Sequence, residues 1–274
     1  MNSLSPLQKF SDALPNHGKK MPMLFVGHGS PMNGIEDNEF SRRWKAMGKE
    51  LPRPEAVLCI SAHWFTRGTF VTAMEQPKTI HDFYGFPEEL NAVQYPAPGN
   101  PMLAEETSRL LTKAETTLDH EWGLDHGCWS VVKQMYPDAD IPVLQLSIDG
   151  TKNSAWHYEL ASQLFPLRKK GVLIIGSGNI VHNLRILNWK NPNTEYDWAA
   201  EMDKLMKKYI SESEDNKLIR YHDLGTASSL AVPTPEHYLP LLYVLGLKDR
   251  NEEIEFFNEK IVMGSVSMTS LKVL

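Results

Sequence analysis

The chain has 274 residues, 42% of them hydrophobic and 23% charged, with a formal net charge of −6. That length is enough to bury a sizeable core, and the composition is that of an ordinary globular protein, which excludes disordered, collagen-like and disulfide-scaffold classes. Basic runs no longer than Arg168-Lys169-Lys170 argue against a nucleic-acid partner, and no apolar run reaches the length of a membrane span.

Residues 1 to 20 read as an N-terminal leader, loosely ordered, with a short helix around Leu7 to Leu14. The leader contains no apolar stretch of signal-peptide length. Residues 21 to 274 read as one domain. A first buried strand, Met23 to Val26, stops at Gly27-His28-Gly29-Ser30-Pro31, where the flanking glycines let the backbone turn sharply. Asp37 is positioned to cap a helix whose apolar residues Phe40, Trp44, Met47 and Leu51 share a face, with Glu39 and Arg43 paired outside; Pro52 and Pro54 end it. The second apolar strand, Ala56 to Ser61, ends at Ala62-His63-Trp64, so the simplest reading of this stretch is a parallel βαβ unit.

A short strand is expected at Thr69 to Met74. An aromatic loop, Thr79-Ile80-His81-Asp82-Phe83-Tyr84-Gly85-Phe86-Pro87, follows, either a lid over an aromatic substrate or rings packed on the core. Asn100 and Pro101 open a helix. Asp125-His126-Gly127-Cys128 then precedes a helix predicted over 130–135, Val143 to Ile148 is the next strand, and Ser154 caps the helix after it. The strand Val172 to Ile175 opens into Gly176-Ser177-Gly178-Asn179 and reaches His182. An amphipathic helix is predicted over 197–210. Thr234 and Pro235 read as the cap and first residue of a helix that holds His237 in its first turn, and a final strand is predicted over 262–268. Cys59 and Cys128 form no CxxC, and Cys59 sits inside a strand as a small hydrophobe, which fits a reducing cytoplasm.

Alternating strands and helices imply an α/β fold with a central, mostly parallel mixed sheet flanked by helices, and ligands collect outside the carboxyl ends of such strands. His28, His63, His126, His182 and His237 all fall at element ends beside Gly, Pro or Ser. Each alone reads equally well as a structural histidine. Several at one sheet edge point to a divalent Fe or Zn site, because neutral imidazole is the commonest metal ligand. HExxH, CxxC and EF-hand spacings are absent, so the fold must assemble the site from distant strands. A dinucleotide fingerprint fails at Val181, and there is no GxSxG elbow.

Six segments in order resemble the class III extradiol aromatic ring-opening dioxygenases, in their DOPA-dioxygenase branch. They are Gly27-His28-Gly29-Ser30-Pro31-Met32-Asn33, Ser61-Ala62-His63-Trp64, Thr79-Ile80-His81-Asp82-Phe83, Leu124-Asp125-His126-Gly127, Ser177-Gly178-Asn179-Ile180-Val181-His182-Asn183 and Pro233-Thr234-Pro235-Glu236-His237-Tyr238. The resemblance runs from about Pro22 to the C-terminus. It implies one non-haem metal at the sheet edge, Fe(II) for activity and Zn(II) as a replacement in purified protein, with a catechol such as L-DOPA and O₂ as reactants and ring cleavage as the reaction. It also implies His28, His63 and His237 as metal ligands, with Glu236 in reserve. His182 is implied as a base that also approaches the metal, and His126 as a second catalytic histidine near substrate and oxygen. The expected product is a muconic semialdehyde. Two other readings fit the same residues: a non-catalytic binding protein on this fold, and a zinc-dependent hydrolase. Arg67 and Arg185 lie near motif residues, but neither is assigned to a substrate carboxylate.

Overall fold

A computed structural model describes residues 20–274; the leader up to residue 19, with its expected helix, lies outside the described residues. The strands are β1 Met23–Gly27, β2 Ala56–Thr66, β3 Thr69–Thr72, β4 Thr116–Asp119, β5 Val143–Asp149, β6 Val172–Gly178, β7 Ile254–Phe257, β8 Ile261–Val262, β9 Val266–Ser267 and β10 Ser270–Val273. Eight of them form one sheet in the order β4-β3-β5-β2-β6-β1-β10-β7, and the short β8 and β9 pair separately. The four central strands β5, β2, β6 and β1 run parallel, while β3, β10 and β7 add antiparallel pairings toward the edges, giving the expected mixed sheet.

The parallel strands are buried on both faces, so their alternating side chains feed two cores. Met23, Phe25, Leu58, Ile60 and Ile174 point to one face, and Leu24, Val26, Val57, Cys59 and Leu173 to the other. Six helices of eight or more residues are found among the described residues: α1 (Glu39–Glu50), α2 (Pro101–Leu110), α3 (His126–Met135), α4 (Ser154–Ala161), α5 (Asp197–Ser211) and α6 (Leu239–Gly246). Residues from α2, α4, α5 and α6 cover the first face; α1 and α3 cover the second with Phe40, Trp44, Met47, Trp129 and Val132.

Several local expectations are corrected. The cap of α1 is Asn38, in a reciprocal capping box with Ser41, and Asn153 caps α4. In both cases an asparagine adjacent to the expected residue reaches the free amides. Arg43 pairs with Glu50 instead of Glu39, which pairs with Lys260. Strands β1 and β2 are parallel but not neighbours, because β6 is inserted between them, with Gly27 opposite Gly178 and Ser61 opposite Ser177. The C-terminal strand is β10 instead of one continuous strand over 262–268: Met263 and Gly264 take positive φ and turn that segment into the β8–β9 hairpin. Buried Ser270 anchors β10 by accepting a hydrogen bond from the Gly27 amide. No helix among the described residues is long and apolar enough to cross a membrane.

Candidate metal centre

The carboxyl ends of β1, β2 and β6 lie side by side, and each delivers a histidine. His28 follows β1, and its amide donates to the Gly178 carbonyl at 3.1 Å. His63 lies in β2 just past Ser61, where the pairing with β6 ends. His182 follows β6 and donates its amide to the Ala231 carbonyl. His237 sits two residues before α6, held by its carbonyl, which accepts from the Asn179 amide at 2.8 Å. A Cβ on Gly178 would collide with that carbonyl, so only glycine lets β6 approach His237 so closely. The expectation that His237 occupies the first helical turn is thus corrected: the Pro235 carbonyl accepts from the Tyr238 and Leu239 amides in a turn that precedes the helix. His126 is the first residue of α3, whose cap is Asp125.

These five rings form one cluster. The His28 centroid is 5.0 Å from that of His63, 5.5 Å from that of His126 and 5.4 Å from that of His237. His63 and His126 are 3.9 Å apart, and His182 stacks on His237 at 3.5 Å with only 10° between the rings. Donor atoms lie within 4.8 Å of one another in two sets, His28 with His63 and His126, and His182 with Glu236 and His237.

Contacts at Nδ1 of four of the rings indicate which nitrogen carries hydrogen. Ser177 donates its hydroxyl to the Gly127 carbonyl at 2.5 Å, so its oxygen accepts from His28 Nδ1 at 3.1 Å. His63 Nδ1 lies 3.2 Å from Asp82 Oδ2, and His126 Nδ1 donates to the same oxygen at 3.0 Å. Glu236 Oε1 takes His237 Nδ1 at 3.3 Å. A carboxylate only accepts, so Nδ1 of His63, His126 and His237 is the donor, and in a neutral ring of this tautomer Nε2 is the lone-pair atom. His28 and His63 point theirs at each other across 3.1 Å, and the buried His237 Nε2 has no hydrogen-bond partner. Two lone pairs in contact and a third left unpaired fit a bound divalent cation: nitrogen ligands about 2.1 Å from one ion sit roughly 3 Å apart.

Burial, with the neighbouring imidazoles in second place, holds His28 and His237 far below the usual histidine range. The same causes bring His63 to about 3 and His182 to about 4. All four are therefore neutral near pH 7, the state a ligand or a base requires. Burial pushes the Asp82 carboxyl up, but the hydrogen bond from His126 and the His126 and His63 rings outweigh it and bring it down to about 2.

Comparison with known proteins places this geometry. Residues 17–273 match the family described as the catalytic LigB subunit of aromatic ring-opening dioxygenase. The chain belongs to this family. The enzyme is 52% identical to 4,5-DOPA dioxygenase extradiol of Escherichia coli K12, over 93% of this chain and 95% of that protein. It is 36% identical to the protein of the same name from Beta vulgaris, over 91% and 95%. A crystal structure of an uncharacterized Escherichia coli K12 protein superposes with a TM-score of 0.82 at 47% identity, covering 93% of this chain and all of that one. The enzyme is accordingly an extradiol aromatic ring-opening dioxygenase with a divalent-metal site, acting on an aromatic substrate and O₂.

The structure brings together all five histidines singled out in the sequence, and Glu236 with them. Arg67 and Arg185 are both exposed. The aromatic loop divides: Phe83 packs against Phe86, Trp129 and the His126 ring, while Tyr84 is 95% exposed. Two residues without a role in the sequence reading hold the site in shape, Asp82 and Ser177. Both stand inside motifs that carry a histidine, and a polar residue there with no helix to cap is the signal that marks them.

Proposed function

We propose that the enzyme is an Fe(II)-dependent extradiol dioxygenase that cleaves a catechol such as L-DOPA in the 4,5 position, giving a muconic semialdehyde of the seco-DOPA type. His28, His63 and His237 are the ligands, His182 is the base and His126 the acid. The observation that carries this reading is the convergence of the His28, His63 and His237 rings, each with Nδ1 engaged and Nε2 free of hydrogen. Glu236 serves by orienting His237, since its Oε1 already takes the Thr234 hydroxyl at 2.7 Å as well as His237 Nδ1. Zn(II) would occupy the same nitrogen set in purified protein.

Iron, when bound, supplies adjacent open positions for catechol and O₂ and a path for electron density between them. His182, whose ring is neutral and lies flat on His237, would take a phenolic proton from the substrate. Its affinity for that proton is lower than a free histidine's, because burial opposes the charged ring, so it would accept the proton only from a catechol acidified by the metal. His126, its Nδ1 anchored on Asp82 so that Nε2 faces the cluster, would take up a substrate-derived proton on Nε2 and return it to oxygen as the ring opens. Phe83 stands edge-on to His126 at 5.6 Å and forms an apolar wall beside it.

The test is O₂ consumption after anaerobic loading with Fe(II), with L-DOPA and simpler catechols as substrates. Iron-dependent uptake with a new yellow absorbance is the expected result. Iron-replete protein that consumes no O₂ with any catechol would overturn the proposal.

A further inference from the structure

Asp82 serves two histidines at once. Its Oδ1 accepts from the His126 backbone amide at 2.9 Å, and its Oδ2 accepts from His126 Nδ1 at 3.0 Å and faces His63 Nδ1 at 3.2 Å. Three N–H groups from two chain segments thus converge on two oxygens, in a loop that is distant in sequence from both. Among the described residues these are the contacts that engage the two Nδ1 atoms, so the tautomers of both rings depend on this carboxylate.

We propose that Asp82 is the positioning residue that couples the metal ligand His63 to the proton-transfer histidine His126, keeping hydrogen on Nδ1 of both rings so that Nε2 of His63 has its lone pair for the metal and Nε2 of His126 has its lone pair to receive the proton it later returns. This inference rests on the roles given to His63 and His126 above. Packing supports it: the two rings are only 3.9 Å apart, and a Cβ on Gly127 would lie 2.9 Å from His63 Cδ2, so the α3 N-terminus leaves His63 no room to turn away. One anion therefore orients two rings that have nowhere else to go.

Asparagine is an informative substitution for Asp82, although it is nearly the same shape. The amide side chain of the Asp82→Asn variant would offer one oxygen in place of two. If that oxygen keeps the His126 amide, the NH₂ group faces both Nδ1 atoms. Each ring must then carry its hydrogen on Nε2, the atom that His63 aims at His28 across 3.1 Å. If the side chain turns over, the NH₂ group meets the backbone amide, which cannot stop being a donor. No orientation satisfies all three groups. Asp82→Glu keeps two accepting oxygens and provides the rescue.

The experiment combines Zn(II) affinity, measured against a competing chelator, with ¹⁵N NMR of the histidine rings in the Zn(II)-loaded protein. In the wild type, His63 and His126 should carry hydrogen on Nδ1. Asp82→Asn should weaken Zn(II) binding by about 10- to 100-fold and move the His126 hydrogen to Nε2, while Asp82→Glu recovers most of the affinity. Wild-type affinity in Asp82→Asn with the His126 hydrogen still on Nδ1 would overturn the inference. So would a wild-type spectrum with hydrogen on Nε2 of either ring, a reading that decides the matter even if the variants fail to fold. Neither readout needs turnover, so a failure of the dioxygenase assay and a failure of this inference are told apart.

Discussion

The two ends of the parallel sheet bury polar groups in opposite ways. At the amino end, the fully buried Arg168 guanidinium is saturated: Nε donates to the Met21 carbonyl, Nη1 to the Leu247 carbonyl and to Glu252 Oε2, and Nη2 to Glu252 Oε1 at 2.5 Å. Lys20 completes the cluster at 3.1 Å from the same carboxylate. At the carboxyl end, the hydrogen bonds stop at Nδ1 of each ring, and the Nε2 atoms of His28, His63 and His237 face one another or nothing. A polar cluster that serves stability closes on itself, whereas one that serves chemistry keeps its unsatisfied valence pointing inward, at the place a metal fills.

Breaking the closed cluster should have the largest effect on folding. Arg168→Met strands Glu252 without its main partner and should cost about 3 to 5 kcal/mol in urea unfolding while leaving metal content unchanged. A loss below about 1 kcal/mol would mean that the pair only balances its own desolvation. His157 gives an intermediate case. Its ring is buried 3.0 Å from the Tyr243 hydroxyl, and burial lowers its pKa to about 4. The folded value lies below that of the unfolded chain, near 6.5, so the unfolded state binds the extra proton between those values. His157 should contribute up to about 3 kcal/mol to the loss of stability as pH drops from about 6.5 to about 4, and His157→Gln should remove that share of the slope in chelator-treated protein while the share from the four histidines of the metal cluster stays. At the open cluster the smallest effect on folding is expected. His63→Ala removes one of two facing lone pairs from a partly exposed ring. It should change the unfolding energy of the metal-free protein by no more than about 1 kcal/mol while abolishing tight metal binding. A large destabilisation with metal retained would reverse the assignment of the two ends.

Most of this contrast is legible in the sequence on one side and not on the other. The histidines are visible because each has a glycine, proline, serine or asparagine within two residues, and the apolar runs before His28, His63 and His182 point to the edge at which they meet. The expectation of one α/β domain with a mixed sheet holds because Met23 to Val26, Ala56 to Ile60 and Val172 to Ile175 are hydrophobic on both alternating faces. The insertion of β6 between β1 and β2 is hidden, since strand order follows from which faces pack, and both neighbours look alike in composition. β10 is hidden because Ser270-Leu271-Lys272-Val273 gives two of its four positions to polar residues, although Lys272 reaches Glu255 and Ser270 bonds Gly27. Arg168 reads as part of a solvated basic run, and only the fold shows that it is enclosed while Lys169 and Lys170 beside it are not. Asp82 and Ser177 are hard to see for a related reason: their role is toward side chains that are remote in the chain.

The central claim is that the Nε2 atoms of His28, His63 and His237 hold a single metal, with His126 and His182 left for proton transfer. The most direct test is a crystal structure of the Fe(II)-loaded enzyme, grown anaerobically and recorded at the iron absorption edge. One anomalous peak within bonding distance of those three nitrogens, with His126 still on Asp82, is the predicted result. A peak bound by His28, His63 and His126, leaving His237 free, would contradict the account.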